Sequence, residues 1–146
     1  MRGTTVQNLA SAALGSLRDV AYQSLYRRYR PRRFAELKGQ PHVVRALQGS
    51  VRDGTVAHAY LFSGPRGTGK TSSARILAKA LNCEAPVDGE PDGTCASCQS
   101  VEAGTSLDVV ELDAASNRGI EDAREIIRGA ALASGGRWRV YILDEV

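Results

Sequence analysis

The chain contains 146 residues, of which 42% are hydrophobic and 24% are charged, and it is long enough to bury a core as one globular domain. No apolar run approaches the roughly 20 residues needed to cross a bilayer, and no secretory apolar core follows Arg2, so the composition excludes a membrane protein and predicts a soluble, cytoplasmic one. The net charge of +3 is unevenly distributed, because seven Arg lie in residues 1–34 while residues 35–146 are net acidic.

The N-terminal arm differs in composition from the rest of the chain. Residues 1–23 are rich in Ser, Ala, Leu and Thr, with weak helical spacing and no cap, and we expect a disordered leader rather than a targeting peptide. Arg and Tyr residues are crowded between Arg18 and Arg33, which favours either contact with phosphates or a solvated basic tail. The folded domain is predicted to occupy residues 24–146.

Helices and strands are predicted to alternate along this domain. Apolar residues at helical spacing predict a helix over residues 43–51, which the Asp-Gly pair at 53–54 would end. The apolar run at 59–62 predicts a strand, and one apolar face marks a second helix over 74–81. Strands at 107–112 and 139–143 flank a third helix over 120–130. This alternation predicts an α/β fold with a parallel sheet.

A glycine-rich loop joins the first predicted strand to the second predicted helix. It follows the pattern G-x-x-x-x-G-K-[ST], with the residues Gly64, Pro65, Arg66, Gly67, Thr68, Gly69, Lys70 and Thr71. Its glycines let the backbone amides turn inward and form a nest for phosphate at a helix N-terminus. We expect Lys70 to reach the β- and γ-phosphates of a nucleoside triphosphate as a catalytic residue, and the Thr71 hydroxyl to hold Mg²⁺.

The last predicted strand ends on two adjacent carboxylates. Asp144 and Glu145 follow an apolar run, as in a Walker B motif. Asp144 is expected to support Mg²⁺, usually through a water molecule, together with Thr71. Glu145 is expected to orient and activate the attacking water, which predicts a hydrolase rather than a kinase.

Three cysteines lie within an irregular stretch, residues 83–104, that is too long for an ordinary connection and is interpreted as an insertion. Cys95 and Cys98 have the C-x-x-C spacing, and Cys83 precedes them by twelve residues, a pattern that suits a tetrahedral zinc knuckle. A fourth ligand would have to come from Asp92, another group or water. A metal-free loop with free thiols is the alternative.

Two groups of motifs resemble one family closely. The first is Leu25-Tyr-Arg-Arg-Tyr-Arg-Pro31 with Phe34 and Gly39-Gln40, and the second is His58-Ala-Tyr-Leu-Phe-Ser63 leading into the glycine-rich loop. Glu111-Leu-Asp-Ala-Ala-Ser116 and Ile142-Leu-Asp-Glu145 extend the match. Over about residues 24–146 the sequence is therefore similar to the gamma/tau subunits of bacterial DNA polymerase III.

The resemblance implies a function and a set of partners. Members are AAA+ ATPases that use ATP and Mg²⁺ to open the sliding clamp and close it around primed DNA, in a hetero-oligomer with the delta and delta-prime subunits and the polymerase core. Membership of that holoenzyme would also bring the label of DNA-directed DNA polymerase, a nucleotidyltransferase. The resemblance further implies that Tyr29, Arg30, Pro31 and Val43 line the adenine site, and that a helix starting at residues 116–119 faces the DNA.

The resemblance also bears on the insertion, since the family carries a four-cysteine zinc site there. Asp92 stands where the second cysteine is expected, so the implied ligands are Cys83, Asp92, Cys95 and Cys98. A carboxylate can ligate zinc, and a Cys₃Asp site is the resulting hypothesis.

The predicted fold is an α/β P-loop NTPase of AAA+ type, with a parallel sheet and a small zinc-knuckle-like insertion, truncated after the Walker B strand. In such folds a later strand separates the Walker A and Walker B strands, so we expect the 146 residues alone to be inactive. The alternative functions are a non-hydrolysing structural subunit of the same loader, or another AAA+ ATPase that remodels DNA.

Overall fold

The computed structural model describes residue 25 and residues 29–116, 119–130 and 135–146. The chain divides into two compact units, Met1–Arg30 and Pro31–Val146. In the described part of the first unit, the Tyr29 amide donates a hydrogen bond of 2.9 Å to the Leu25 carbonyl. The predicted leader at 1–23 lies outside the described residues, and all the elements below belong to the second unit.

The second unit contains a 3-10 turn, four helices and two strands within the described residues. In chain order these are the turn Phe34–Glu36, α1 (Pro41–Arg52), α2 (Lys70–Asn82), α3 (Ala96–Ala103), β1 (Val109–Asp113), α4 (Ile120–Ala130) and β2 (Val140–Asp144). None of the helices in the described ranges is long and apolar enough to cross a membrane. The helices predicted from spacing at 43–51, 74–81 and 120–130 are confirmed as α1, α2 and α4.

Helices α1 and α2 build the core with the 3-10 turn. Pro41 occupies the first turn of α1, where its fixed φ is favourable and its missing N–H is not needed. Phe34 is fully buried between the two helices, and the side chains in the same cluster are Leu47, Ile76, Leu77, Ala80 and Leu81. This cluster fixes α2, and with it the end of the glycine-rich loop.

The two strands lie side by side and run parallel, as predicted. Their register pairs Val109 with Val140 and Asp113 with Asp144, so both strands end on an aspartate at the same edge. Parallel neighbours need a long crossover, and α4 lies within it. Strand order therefore brings two carboxylates together that are 31 positions apart in sequence.

The predicted strand at 59–62 is wrong for the described part of the chain. Those residues join no sheet there, and Leu61 is 86% exposed. An apolar run specifies a side-chain pattern, but a strand also needs a neighbour to take its backbone N–H and C=O groups. No described strand pairs with this segment.

The insertion is more ordered than its sequence indicates. Helix α3 lies inside it, with the Cys95 thiol at the N-cap accepting from the Cys98 amide at 3.4 Å and Gly104 in the left-handed region at the C-cap. A tight turn pairs Val87 with Glu90. Two helical turns with few apolar residues are too short to show periodicity, which is why α3 was not predicted.

The turn at the tip of the insertion presses against α1. Gly89 has a φ of +77°, and a Cβ added there would lie 2.3 Å from the carbonyl oxygen of Gln48. Gly54 has a similar φ of +67°, but nothing lies within 4 Å of its added Cβ. A side chain at either position would be strained by the left-handed backbone, but only at position 89 would it also clash with α1.

We expect Gly89→Ala to cost about 2–4 kcal/mol of unfolding free energy, whereas Gly54→Ala should cost roughly 1 kcal/mol from the left-handed backbone alone. Urea unfolding of the two variants measures both losses of unfolding free energy. Equal losses would mean that the insertion is not packed on α1 as described.

Candidate nucleotide and metal sites

The glycine-rich loop ends in a left-handed residue that starts α2. Gly69 is the N-cap of α2, with φ 88° and ψ 15°, a conformation that a side chain would strain. The Lys70 ammonium donates to the carbonyls of Gly64 and Pro65, both at 2.9 Å, and the Thr68 hydroxyl donates to Pro65 at 2.9 Å. The loop is thus wrapped around its own lysine at the positive end of a helix, which suits an anion.

A hydrogen bond joins the start of α2 to the end of β2. The Thr71 hydroxyl donates to Asp144 Oδ2 at 2.8 Å, and the contact is partly buried. The two residues are 73 positions apart, so the core and the sheet register together set this distance. The structure therefore brings together the two residues that the sequence predicts as magnesium ligands.

Carboxylates converge beside this contact. An open hollow of about 480 Å³ is lined by Arg75, Glu111, Asp113, Asp144 and Glu145. Four acidic side chains against one arginine make the hollow net negative, which favours a cation. Glu145 follows β2 directly with a φ of 58°, and its amide donates to Asp144 Oδ1 at 3.2 Å.

Three of these lining residues, Arg75, Glu111 and Asp113, were not predicted as site residues from the sequence. Arg75 lies one helical turn after Thr71, and this spacing was a signal that the two side chains share one face of the helix. Arg75 pairs with Glu111 of β1. Asp113 accepts from the Ala115 amide at 2.8 Å and from the Ser116 hydroxyl at 2.6 Å. It enters the site only through the register of β1 and β2, which the sequence does not state.

The residues assigned to the adenine site fall in different units. Pro31 and Val43 belong to the second unit, where Val43 packs against the buried core. Tyr29 and Arg30 belong to the first unit, and Tyr29 is 72% exposed. Their role at adenine stays a prediction.

The insertion gathers the three cysteines and Asp92. Cys83, Asp92, Cys95 and Cys98 each offer a ligand atom, and these atoms all lie within 4.8 Å of one another. Cys83 and Cys98 are fully buried. The structure therefore brings together all four residues of the predicted Cys₃Asp set.

Hydrogen bonds fix the Asp92 carboxylate in this cluster. Its Oδ1 accepts from the amides of Thr94 at 3.1 Å and Cys95 at 3.3 Å, and from the Cys83 thiol at 3.4 Å. A hydrogen bond from the Cys98 thiol, with these backbone amides, holds the pKa of Asp92 well below its usual range. Burial raises the pKa of both Cys83 and Cys98. Asp92 is therefore ionised and held with its charge directed at the thiols.

A glycine-rich loop opening a helix, joined to an acidic strand end in a parallel sheet, defines a P-loop protein. Comparison with known families makes the assignment narrower. A family model described as DNA polymerase III, delta subunit, matches residues 39–146, which is well over half of the chain.

Curated relatives match most of the chain. The DNA polymerase III subunit tau of Bacillus subtilis is 51% identical over 129 residues, covering 87% of this chain and 23% of the relative. The Escherichia coli subunit tau is 47% identical over 128 residues, covering 87% and 20%. The Mycobacterium tuberculosis subunit gamma/tau is 54% identical over 125 residues, covering 84% and 22%. The chain belongs to the DNA polymerase III family that the family model describes, and the relatives that it matches are the tau and gamma/tau subunits that its motifs predicted. It spans about a fifth of the length of these relatives.

Proposed function

We propose that the protein binds and hydrolyses ATP as the motor subunit of a bacterial clamp loader, which loads the sliding clamp on primed DNA during replication. The observation that carries this proposal is the 2.8 Å contact between Thr71 and Asp144, because it couples the P-loop helix to the acidic strand end. Family membership supplies the replication context, and the site supplies the chemistry.

The residues of the loop fit a triphosphate. Backbone amides at the N-terminus of α2 would donate to phosphate oxygens, and the Lys70 ammonium is already held at the mouth of the loop by two carbonyls. A phosphate would offer Lys70 a charged acceptor in place of those neutral ones, which makes a stronger hydrogen bond. Lys70 would then neutralise charge on the β- and γ-phosphates during transfer.

The donor set also fits Mg²⁺. Thr71 and Asp144 offer a hydroxyl and a carboxylate oxygen, the hard ligands that this ion prefers, and the two atoms are 2.8 Å apart. When bound, the ion would supply charge stabilisation to the phosphates, while Thr71 and Asp144 would set its position.

Glu145 is the proposed general base. It lines the acidic hollow, one residue beyond the proposed magnesium ligand Asp144. From this position its carboxylate would orient a water and take a proton as the water attacks the γ-phosphate. The protein itself would make no phosphodiester bond, so any polymerase classification would follow from its place in the holoenzyme.

The proposed partners are the delta and delta-prime subunits, the sliding clamp, the polymerase core and primed DNA, in a cytoplasmic hetero-oligomer. Tyr29, Arg30, Pro31 and Val43 are proposed to contact the adenine.

The insertion is proposed to hold Zn²⁺ through Cys83, Cys95, Cys98 and Asp92. Soft thiolates are the preferred zinc ligands, and one carboxylate can complete a tetrahedron. Burial of two of the thiols and the network around Asp92 support a preformed site. Its role would be structural, because all four positions are filled by protein side chains.

Glu145→Gln tests the proposed hydrolysis. We expect phosphate release by the assembled clamp-loader complex to fall about 100-fold or more, because the general base is lost, while ATP affinity is retained. Lys70→Ala should abolish ATP binding itself, and Glu84→Gln, an exposed carboxylate in the insertion, should behave as the wild type. A Glu145→Gln complex that hydrolyses normally would contradict the role. A wild-type complex that loads clamps while this chain hydrolyses nothing would favour a structural subunit.

Zinc content, measured by elemental analysis of the purified protein, tests the second site. We expect about one zinc per chain in the wild type, much less in Asp92→Ala, and zinc that resists a chelator better in Asp92→Cys, because a fourth thiolate replaces the carboxylate. Asp88→Ala, which removes an exposed carboxylate from the same insertion, is the matched control. Equal zinc in Asp92→Ala and wild type would identify a different fourth ligand, and a zinc-free wild type would reduce the insertion to a metal-free loop.

A further inference from the structure

Between the first unit and α1 runs a short segment, residues 32–37, that the nucleotide chemistry above does not use. One side of this segment is tied to the cysteine-bearing insertion by three polar contacts. Arg32 pairs with Glu102 at 2.6 Å, Arg33 donates to the Asp92 carbonyl at 2.5 Å, and the Ala35 amide donates to Glu90 at 3.4 Å. These contacts cross sequence separations of 55 residues or more, so they depend on the fold.

The insertion end of this contact set is itself fixed. Glu102 also pairs with the Lys79 ammonium of α2 at 3.5 Å, and Lys79 is only 4% exposed. A buried ammonium needs a partner, so Glu102 is held in place on the side of α2. Arg32 therefore docks on a carboxylate whose position is set by the same helix that begins at the P-loop.

The other end of the segment contacts the P-loop. A Cβ added to Gly69 would lie 3.6 Å from Leu37 Cδ2, so the Leu37 side chain rests on the last glycine of the loop. Phe34 anchors the segment in the core, and the Leu37 amide closes the 3-10 turn by donating to the Phe34 carbonyl at 3.0 Å. The segment thus spans from the metal-binding insertion to the phosphate-binding glycine.

We propose that the insertion is a brace for nucleotide binding, in which Arg32 and Arg33 act as positioning residues that hold residues 32–37 against the P-loop. This inference rests on the proposed ATP binding. Neither arginine would touch the reacting atoms. Their loss would let Leu37 leave Gly69 and let the loop sample conformations that cannot bind phosphate, which reduces the apparent affinity by the lost fraction.

The test compares Arg32→Gln/Arg33→Gln with Arg52→Gln in the assembled complex. Arg52 is a matched control, because it is an exposed arginine that also contacts the insertion, at Asp88, but not residues 32–37. We expect the double variant to bind ATP about three- to tenfold more weakly, with the hydrolysis rate at saturating ATP and the zinc content unchanged. Amide hydrogen exchange at residues 64–70 should become faster in the double variant only. Arg33→Lys, which keeps the charge and a donor, should recover part of the affinity.

Two outcomes would overturn the proposal that the insertion acts as a brace. One is an ATP affinity that is equal in the wild type and the double variant, and the other is a loss of the same size in Arg52→Gln, which would indicate general destabilisation. A wild-type complex that binds no ATP would instead remove the proposed function, and the inference with it, so the two failures are distinguishable.

Discussion

Burial of helix α2 is the constraint on which the rest of the structure depends. Its apolar side chains pack into the core, and nine of its residues are buried. Its polar side chains recur every three or four residues and contact other parts of the fold. Thr71 contacts Asp144 of β2, and Arg75 pairs with Glu111 of β1. Lys79 pairs with Glu102 of α3, and Asn82 accepts from the Trp138 amide before β2. One helix therefore aligns the sheet and the insertion with the P-loop.

This arrangement connects the two candidate sites through one helix, although their chemistry differs. The proposed phosphate nest lies at the N-terminal end of α2, where Thr71 contacts Asp144 of β2, and Cys83 follows the C-terminal end of the helix directly. A thirteen-residue helix is a stiff connector of about 20 Å. Residues 32–37 run alongside as a second connection between the insertion and Gly69.

Much of this could be predicted from the sequence where a local pattern carries the information. The spacing of apolar residues gave α1, α2 and α4 because helical periodicity repeats within one segment, and Thr71 with Asp144 could be named because each belongs to a recognisable motif. Helix α3 is too short and too poor in apolar residues to show periodicity, and its N-cap is a thiol, not one of the common capping side chains. Asp113 and the failed strand at 59–62 depend on partners distant in the sequence, namely a strand register and a neighbouring strand. Arg75 had a local signal, its position four residues after Thr71, but its partner on β1 emerged only with the fold.

Thr71 and Asp144 are proposed to act together on one magnesium ion. The most direct measurement is ATP affinity, with and without Mg²⁺, for Thr71→Val, Asp144→Asn and the double variant. We predict that each single change lowers the ATP affinity measured with Mg²⁺ by about tenfold. The double variant should bind ATP no more weakly than the weaker-binding single variant. Without Mg²⁺, the wild type and all three variants should bind ATP with the same affinity. Independent, additive losses, or equal losses without the ion, would contradict the account.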